Sequence, residues 1–88
     1  MKDVHVKLKD GREFFGPLWE IRSEEGWFSL TIDPQTYPEA PDRFLFEDCA
    51  SAINFGVHTA YNKVEDVDLL AWAENDRVVR QALRETKA

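Results

Sequence analysis

Residues 4–18 read VHVKLKDGREFFGPL, and this stretch decides the fold. Val4, Val6 and Leu8 alternate with polar residues, which is the period-two pattern of a half-buried strand. The Asp-Gly pair that follows is a turn signal. The segment therefore predicts a β-hairpin.

The register of this hairpin decides which phenylalanine enters the core. If Gly11 takes the left-handed position of a three-residue loop, Val6 lies opposite Phe14 and both can be buried. A two-residue loop pairs Val6 with Phe15 instead. We expect the three-residue loop and a buried Phe14.

The second strand of the hairpin, at about residues 12–21, contains the unusual pair Gly16-Pro17. Strand interiors avoid both residue types, because proline donates no ladder hydrogen bond and glycine packs no side chain. A bend or bulge there allows one strand to serve two packed sheets. Beyond the bend, strict alternation predicts that Trp19 and Ile21 share one face.

Three more short strands are expected, at residues 27–32, 43–46 and 53–57, the last of which can run on to Tyr61. The connection at 33–42 contains three prolines and is predicted to be a stiffened loop. Residues 47–52 fit either a short helix or a bulged strand, and the two alternatives stay open.

From residue 65 to 86 the apolar period changes to that of a helix. On a helical wheel the apolar face comprises Val67, Ala71, Val78 and Ala82, flanked by Trp72, Val79 and Leu83. Asp66 or Asp68 can cap the start. We expect this amphipathic helix to pack on the strands, so that residues 1–62 form a barrel and 63–88 a helical segment within one domain, 1–88.

Five short strands, a long bent second strand and a terminal helix are typical of small barrels of the SH3 or Sm type. The hairpin segment resembles the opening of the Sm-like family, in which L-x-D/N-G-R precedes G-x-L on the bent strand. The matching residues are Leu8, Asp10, Gly11, Arg12, Gly16 and Leu18. The resemblance implies a mainly β (α+β) fold, a five-stranded SH3/Sm-like barrel with a C-terminal amphipathic helix.

The RNA contacts of the Sm-like family do not carry over to this sequence. In that family an Asp and an Asn after the bent strand help to hold a uridine base, whereas here Arg22 and Gly26 stand near those places. The family's I-R-G-like segment is replaced by residues 46–49, and the helix lies at the other end of the chain. The resemblance therefore implies architecture and no activity.

Composition narrows the class of partner. Of 88 residues, 43% are hydrophobic and 32% charged, as in an ordinary soluble domain, and the net charge is −6. No basic half or tail is present to follow a phosphate backbone, so a protein partner is expected ahead of nucleic acid.

The longest uncharged run, 49–62, is too short and polar to span a bilayer, so no membrane partner is expected. A lone cysteine, Cys49, suits a reducing cytoplasm.

Catalytic and metal-binding constellations are not evident in the sequence. His5, His58 and Cys49 do not have metal-ligand spacing, and neither a metal nor another cofactor is expected. Cys49 could meet His58 if the fourth and fifth strands are adjacent, but a small buried thiol is the favoured interpretation. The Glu24-Glu25 pair could act as a general acid and base. It lies in a predicted turn, however, where no burial makes the two carboxylates differ from each other. We therefore expect no enzyme.

Eleven aromatic residues are more than a small barrel needs for its core, and the surplus is the best functional clue. The expected core aromatics are Phe14, Phe28, Phe44, Phe46 and Phe55. Trp and Tyr dominate interface hot spots, and acidic rims steer basic peptides. The candidate partner-binding residues are Trp19, Trp27 and Tyr37 with the acidic edges Glu20, Glu24 and Glu25. The alternative for Trp19 is that it is a core residue, stacked against Trp72 under the helix.

These features favour a small acidic non-enzymatic module that binds a basic protein surface. Compact acidic domains of this kind are frequent among phage and mobile-element accessory proteins, including some that occupy a basic nucleic-acid-binding surface. One alternative is an oligomeric Sm-like protein that binds RNA or a small ligand. A second is a structural assembly subunit whose strand edges pair between chains. The helix stripe of Arg77, Arg80 and Arg84 is expected to be a solvated face, and its alternative role is contact with a nucleic acid or an acidic partner.

Overall fold

The computed structural model describes residues 3–58, 60–61 and 63–86. These residues form six antiparallel strands, one 3-10 turn and one α-helix. The sheet order is β4-β3-β2-β1-β5-β6. In chain order the elements are β1 (Asp3–Leu8), β2 (Glu13–Arg22), β3 (Trp27–Leu30), β4 (Phe44–Leu45), the 3-10 turn (Phe46–Asp48), β5 (Cys49–His58), β6 (Val64–Asp68) and α1 (Leu69–Glu85).

The β1–β2 hairpin has the predicted register. Gly11 has φ +97°, the left-handed conformation that the three-residue loop requires. Val6 lies opposite Phe14. Phe14 is consequently 4% exposed, whereas Phe15 on the other face is 48% exposed.

Strand β2 has two neighbours within one sheet, whereas the Gly16-Pro17 pair predicted a strand shared between two packed sheets. Its first half pairs with β1 and its second half with β3. At the junction the backbone of Thr31 comes so close that a Cβ at position 16 would lie 2.4 Å from the Thr31 carbonyl oxygen. The Thr31 N–H donates to the Pro17 carbonyl at 2.8 Å. Glycine is needed here for close approach of two backbones.

The irregularity in β2 lies at Trp19 and not at the Gly-Pro pair. Between Leu18 and Glu20 the strand advances two residues while β3 advances one, so Trp19 is the extra residue of a bulge. A bulge reverses the alternation of faces, and Leu18 and Ile21 therefore both pack on the core. The prediction that Trp19 and Ile21 share a face is wrong for this reason.

The core lies along one face of the sheet. The rings of Phe28 and Phe44 are stacked with centroids 5.4 Å apart, and Phe14 packs at the same distance from Phe44. Phe46 is half-buried beside them, whereas Phe55, also predicted as core, is 37% exposed because its side chain leaves the other face of β5. The buried apolar cluster comprises Val4, Val6, Leu8, Phe14, Phe28, Phe44, Cys49, Ala52 and Leu69.

The predicted five-stranded closed barrel is wrong in two respects. Within the described residues the sheet has six strands and is open, with β4 and β6 at its two edges. The extra strand is β6, which the sequence assigned to the helix. Its backbone pairs with β5. Its Val and Asp residues have low helix propensity, so this segment gains little from extending the helix.

The α-helix begins where Asp68 caps it. The Asp68 carboxylate accepts hydrogen bonds from the N–H groups of Leu70 and Ala71 at 3.1 and 3.2 Å. Asp66, the other predicted cap, instead accepts from the Gly56 N–H in the adjacent strand.

Only the first turns of α1 pack on the sheet. Leu69 and Ala73 are buried, whereas Val78, Val79 and Leu83 are about half exposed. A 17-residue helix is about 25 Å long, and its second half extends past the strands. The expected packing of this helix on the strands therefore holds for its first turns and not for its second half.

Residues 47–52 contain both structures that the sequence left open, because the 3-10 turn is followed directly by the start of β5. The expected continuation of the fifth strand includes residue 59, which lies outside the described residues, as do residues 1, 2, 62, 87 and 88 of the predicted domain.

Candidate functional site

A shallow, open groove with a volume of about 400 Å³ lies on the outer face of β2 and β3. The bulge turns the indole of Trp19 outward, and Trp27 reaches the same groove from β3. We call this surface the tryptophan groove. Its lining residues are Trp19, Glu20, Trp27, Ser29, Leu30, Thr31, Asp42 and Arg43.

The two tryptophans differ in how much of each ring is available. Trp19 is 76% exposed. Trp27 is half-buried, and the Arg43 guanidinium carbon lies 4.2 Å from the centroid of its ring. This is a cation–π contact, in which the negative face of the indole attracts the cation. Trp27 thus already holds a cation of its own chain, while the indole of Trp19 faces solvent.

Trp19 is no part of a second small core with Trp72. The bulge sends Trp19 to the outer face, whereas Trp72 contacts a separate apolar pocket together with Leu18 and Ile21 on the core side. The alternative interpretation of Trp19 as a core residue is therefore wrong.

The acidic residues divide between two places. Glu20 and Asp42 line the tryptophan groove, and Glu20 also forms an ion pair with Arg22 at 2.9 Å. Glu24 and Glu25 lie in the β2–β3 turn and face a cleft beside α1, which Glu20 lines as well. Asp42 was missed by sequence reasoning, since nothing local indicates that the proline-rich loop folds back to the groove.

Tyr37 lies apart from the groove. Its ring is half-buried and packs against Phe14 with centroids 5.5 Å apart. The structure therefore brings together Trp19, Trp27 and Glu20 of the six predicted residues, and adds Asp42.

The arginines of α1 each contact a carboxylate. Arg80 pairs with Asp76 at 2.9 Å, Arg77 with Glu74, and Arg84 with Glu24 of the β2–β3 turn. Exposed pairs of this kind contribute about 0–1 kcal/mol each. They nevertheless leave the stripe largely neutral, which lowers its attraction for phosphates.

The β2–β3 turn is tied to α1 through Asp76. The Ser23 hydroxyl donates to the Asp76 carboxylate at 2.5 Å. This hydrogen bond and the one from Arg80 hold the pKa of Asp76 below its usual value. Both favour the ionised carboxylate, so the contact depends on its charge.

Cys49 has the character of a structural thiol. It is 4% exposed, and its Sγ–H donates to the Leu45 carbonyl at 3.3 Å. Burial, reinforced by the charge of Asp48, raises its pKa to about 11, so the thiol is protonated near neutral pH. His58 lies at the opposite end of the same strand, roughly 30 Å of extended chain away. The suggested Cys–His pair is therefore not formed.

Within residues 3–58, 60–61 and 63–86, no group of three or more His, Cys, Asp or Glu side chains is arranged to hold a metal ion. The same part of the chain contains no helix with the length and apolar character needed to cross a membrane.

Comparison with known proteins finds no matching family model, no matching curated protein and no matching solved structure.

Proposed function

We propose that this protein is a small non-enzymatic interaction module whose tryptophan groove binds a basic segment of a partner protein. The observation that carries the proposal is the solvent-facing indole of Trp19, 76% exposed, beside the acidic side chains of Glu20 and Asp42. An aromatic platform next to carboxylates is the chemistry that recognises a lysine or arginine side chain.

The exposed indole offers enough area to matter for binding. A tryptophan buries up to roughly 200 Å² when covered, which at about 25 cal/mol per Å² is worth about 4–5 kcal/mol before the costs of association. Tryptophan is also one of the residue types enriched at interface hot spots.

The contact between Arg43 and Trp27 supports a cationic occupant. A guanidinium already rests 4.2 Å from one indole of the groove, so a partner's cation can stack on Trp19 in the same manner. The net charge of −6 attracts a basic partner at long range. An open groove of about 400 Å³ suits side chains of a peptide segment or loop.

The partner surface proposed here is a basic one of the kind that binds nucleic acid. Occupying such a surface is the role of some small acidic accessory proteins of phages and mobile elements. Size and charge support this part of the proposal, and the groove supports the mode of contact.

Direct binding of RNA by the helix stripe is less favoured, because Arg77, Arg80 and Arg84 contact carboxylates. Assembly through strand edges is less favoured as well. The edge strand β6 carries Glu65, Asp66 and Asp68, so pairing with a second copy of β6 brings like charges together.

The test is an affinity capture from host lysate with and without nuclease, using wild type, Trp19→Ala and the double variant Glu20→Gln/Asp42→Asn. Glu39→Gln is the matched control, because Glu39 is an exposed carboxylate outside the groove. We expect a nuclease-resistant protein that wild type and the control retain and both groove variants lose.

Direct binding of the captured partner is then measured by titration at two salt concentrations, with affinity expected to fall as salt rises. Equal capture by wild type and Trp19→Ala contradicts the proposal. Recovery of RNA or DNA alone supports the nucleic-acid alternative, and a mass several-fold above one chain by light scattering with no partner supports self-assembly.

A further inference from the structure

A second site lies on the core side of the sheet, where β2, β5, β6 and α1 meet. It is a pocket of about 200 Å³. We call it the core-end pocket. Its lining residues are Leu18, Ile21, Asn54, Val57, Val67, Leu69 and Trp72.

The lining is apolar apart from Asn54 and the indole N–H of Trp72. Asn54 lies in β5 between β1 and β6, opposite Val4 and Val67, and is only 8% exposed. Its Oδ1 is buried without a hydrogen-bond partner. An apolar side chain of the same size would avoid that cost, which is about 1–3 kcal/mol for a buried polar group left unpaired.

A buried acceptor beside an apolar pocket is satisfied best by a molecule that fills the pocket and supplies one donor. A water molecule needs two to four polar partners, and this lining provides few. An apolar cavity of about 150 Å³ is large enough for benzene, so about 200 Å³ admits one aromatic ring or two fused rings.

We propose that the core-end pocket binds a free planar aromatic molecule of phenol or indole size, whose single O–H or N–H donates to Asn54 Oδ1. Asn54 Oδ1 is closed to solvent, so the Asn54 amide must rotate about χ2 before the ligand can donate to this oxygen. Trp72, which is 43% exposed, forms the rim through which the ligand enters. This site is separate from the tryptophan groove, and neither proposal depends on the other.

The test uses indole and indene, which have nearly the same shape but differ in the N–H donor. Binding is followed by two-dimensional NMR of the full chain, with the methyl groups of Val57 and Val67 and the indole N–H of Trp72 as reporters. We expect indole to bind about 2- to 10-fold more tightly than indene, which is the contribution of one hydrogen bond.

Two variants locate the site. Asn54→Leu removes the acceptor, and we expect the preference to disappear or reverse in favour of indene. Val57→Phe fills the pocket, and we expect both ligands to lose binding. Leu83→Ala removes an exposed apolar side chain eleven residues along the helix from Trp72 and leaves both affinities unchanged.

The wild-type comparison needs no variant, so it stands even where Asn54→Leu fails to fold by circular dichroism. The proposal is overturned if neither ligand shifts the reporters at millimolar concentration, if wild type prefers indene, or if the preference for indole survives in folded Asn54→Leu. Binding of a tryptophan-containing peptide without binding of free indole overturns it as well.

Discussion

Replacing Gly16 by alanine probes the crossing of backbones on which the bent sheet depends. The added Cβ would lie 2.4 Å from the Thr31 carbonyl oxygen and 3.2 Å from its carbon, whereas Cβ contacts below 3.0 Å essentially do not occur. The backbones of β2 and the segment after β3 must therefore separate by at least 0.6 Å, the difference between 3.0 and 2.4 Å. Because both atoms belong to the main chain, no side-chain rotation relieves the contact.

The expected loss of stability follows from three contributions. Forcing a tightly packed region apart costs about 1–3 kcal/mol. Weakening the 2.8 Å hydrogen bond from Thr31 to Pro17 costs about 1 kcal/mol. Alanine has fewer accessible conformations than glycine in the unfolded chain, and this stabilises the folded state by about 0.4–1 kcal/mol. We expect a net loss of about 1–4 kcal/mol, and each kcal/mol lowers the melting temperature of a domain of this size by about 4–8 °C.

Gly26→Ala is the matched control. Gly26 has φ +82°, and a Cβ there meets nothing within 4 Å. Its cost is therefore that of the left-handed backbone alone, about 1–2 kcal/mol, and Gly26→Asn recovers part of it because asparagine tolerates that conformation. Gly16→Asn recovers nothing, since the obstacle at position 16 is steric.

Urea denaturation followed by tryptophan fluorescence and thermal melting followed by circular dichroism measure these differences. Gly16→Ala within about 0.5 kcal/mol of wild type refutes the argument from close approach. A larger loss in Gly26→Ala than in Gly16→Ala refutes it too, because the φ penalty would then exceed the steric one.

Three further predictions concern the groove, the dependence of stability on acidic pH and the helix. Trp19→Ala leaves the melting temperature within a few degrees of wild type, because the side chain is mostly exposed. Phe28→Ala, whose side chain is fully buried, costs about 3–5 kcal/mol of stability. A large loss of stability in Trp19→Ala would mean that Trp19 is a core residue. The pKa of Asp76 is lowered from 3.8 in the folded state, so its contribution is present above pH 3.8 and is lost as pH falls through the folded pKa. Urea midpoints between pH 6 and 2 should therefore decline less steeply below pH 4 in Asp76→Asn, and an unchanged decline would show that Asp76 does not contribute. Leu69→Ala costs about 2–4 kcal/mol and Leu83→Ala less than about 0.5 kcal/mol, and comparable losses would mean that the second half of α1 is covered.

The local features of this fold could be read from neighbouring residues. The period-two pattern and Gly11 predict the register Val6–Phe14, because a short loop constrains both strands at once. The helix cap at Asp68 is also local, since its carboxylate reaches N–H groups two and three residues ahead. These features involve residues close in sequence, whose geometry the residue types themselves restrict.

The position of the candidate groove was predicted only in part. Two tryptophans flanking one hairpin indicated a shared surface, and the structure places Trp19 and Trp27 together. Asp42 lines the groove and Tyr37 packs on the core because of the way in which the proline-rich loop folds back on the sheet. The spacing of residues within the loop contains no information about that fold.

The sequence by itself determined a small β-rich domain with a terminal helix, its first hairpin and its acidic charge, because periodicity, turn residues and composition are properties of adjacent residues. Only the tertiary structure decided that Trp19 faces solvent, since one bulged residue reverses the face of every residue after it and the bulge exists only relative to β3. The same holds for β6, for the pairing of Arg84 with Glu24 and for the unpartnered amide oxygen of Asn54. The Arg84–Glu24 pair joins segments 60 residues apart, and β6 forms only by pairing with β5. Both depend on how separate segments pack, which the pattern within one segment does not show.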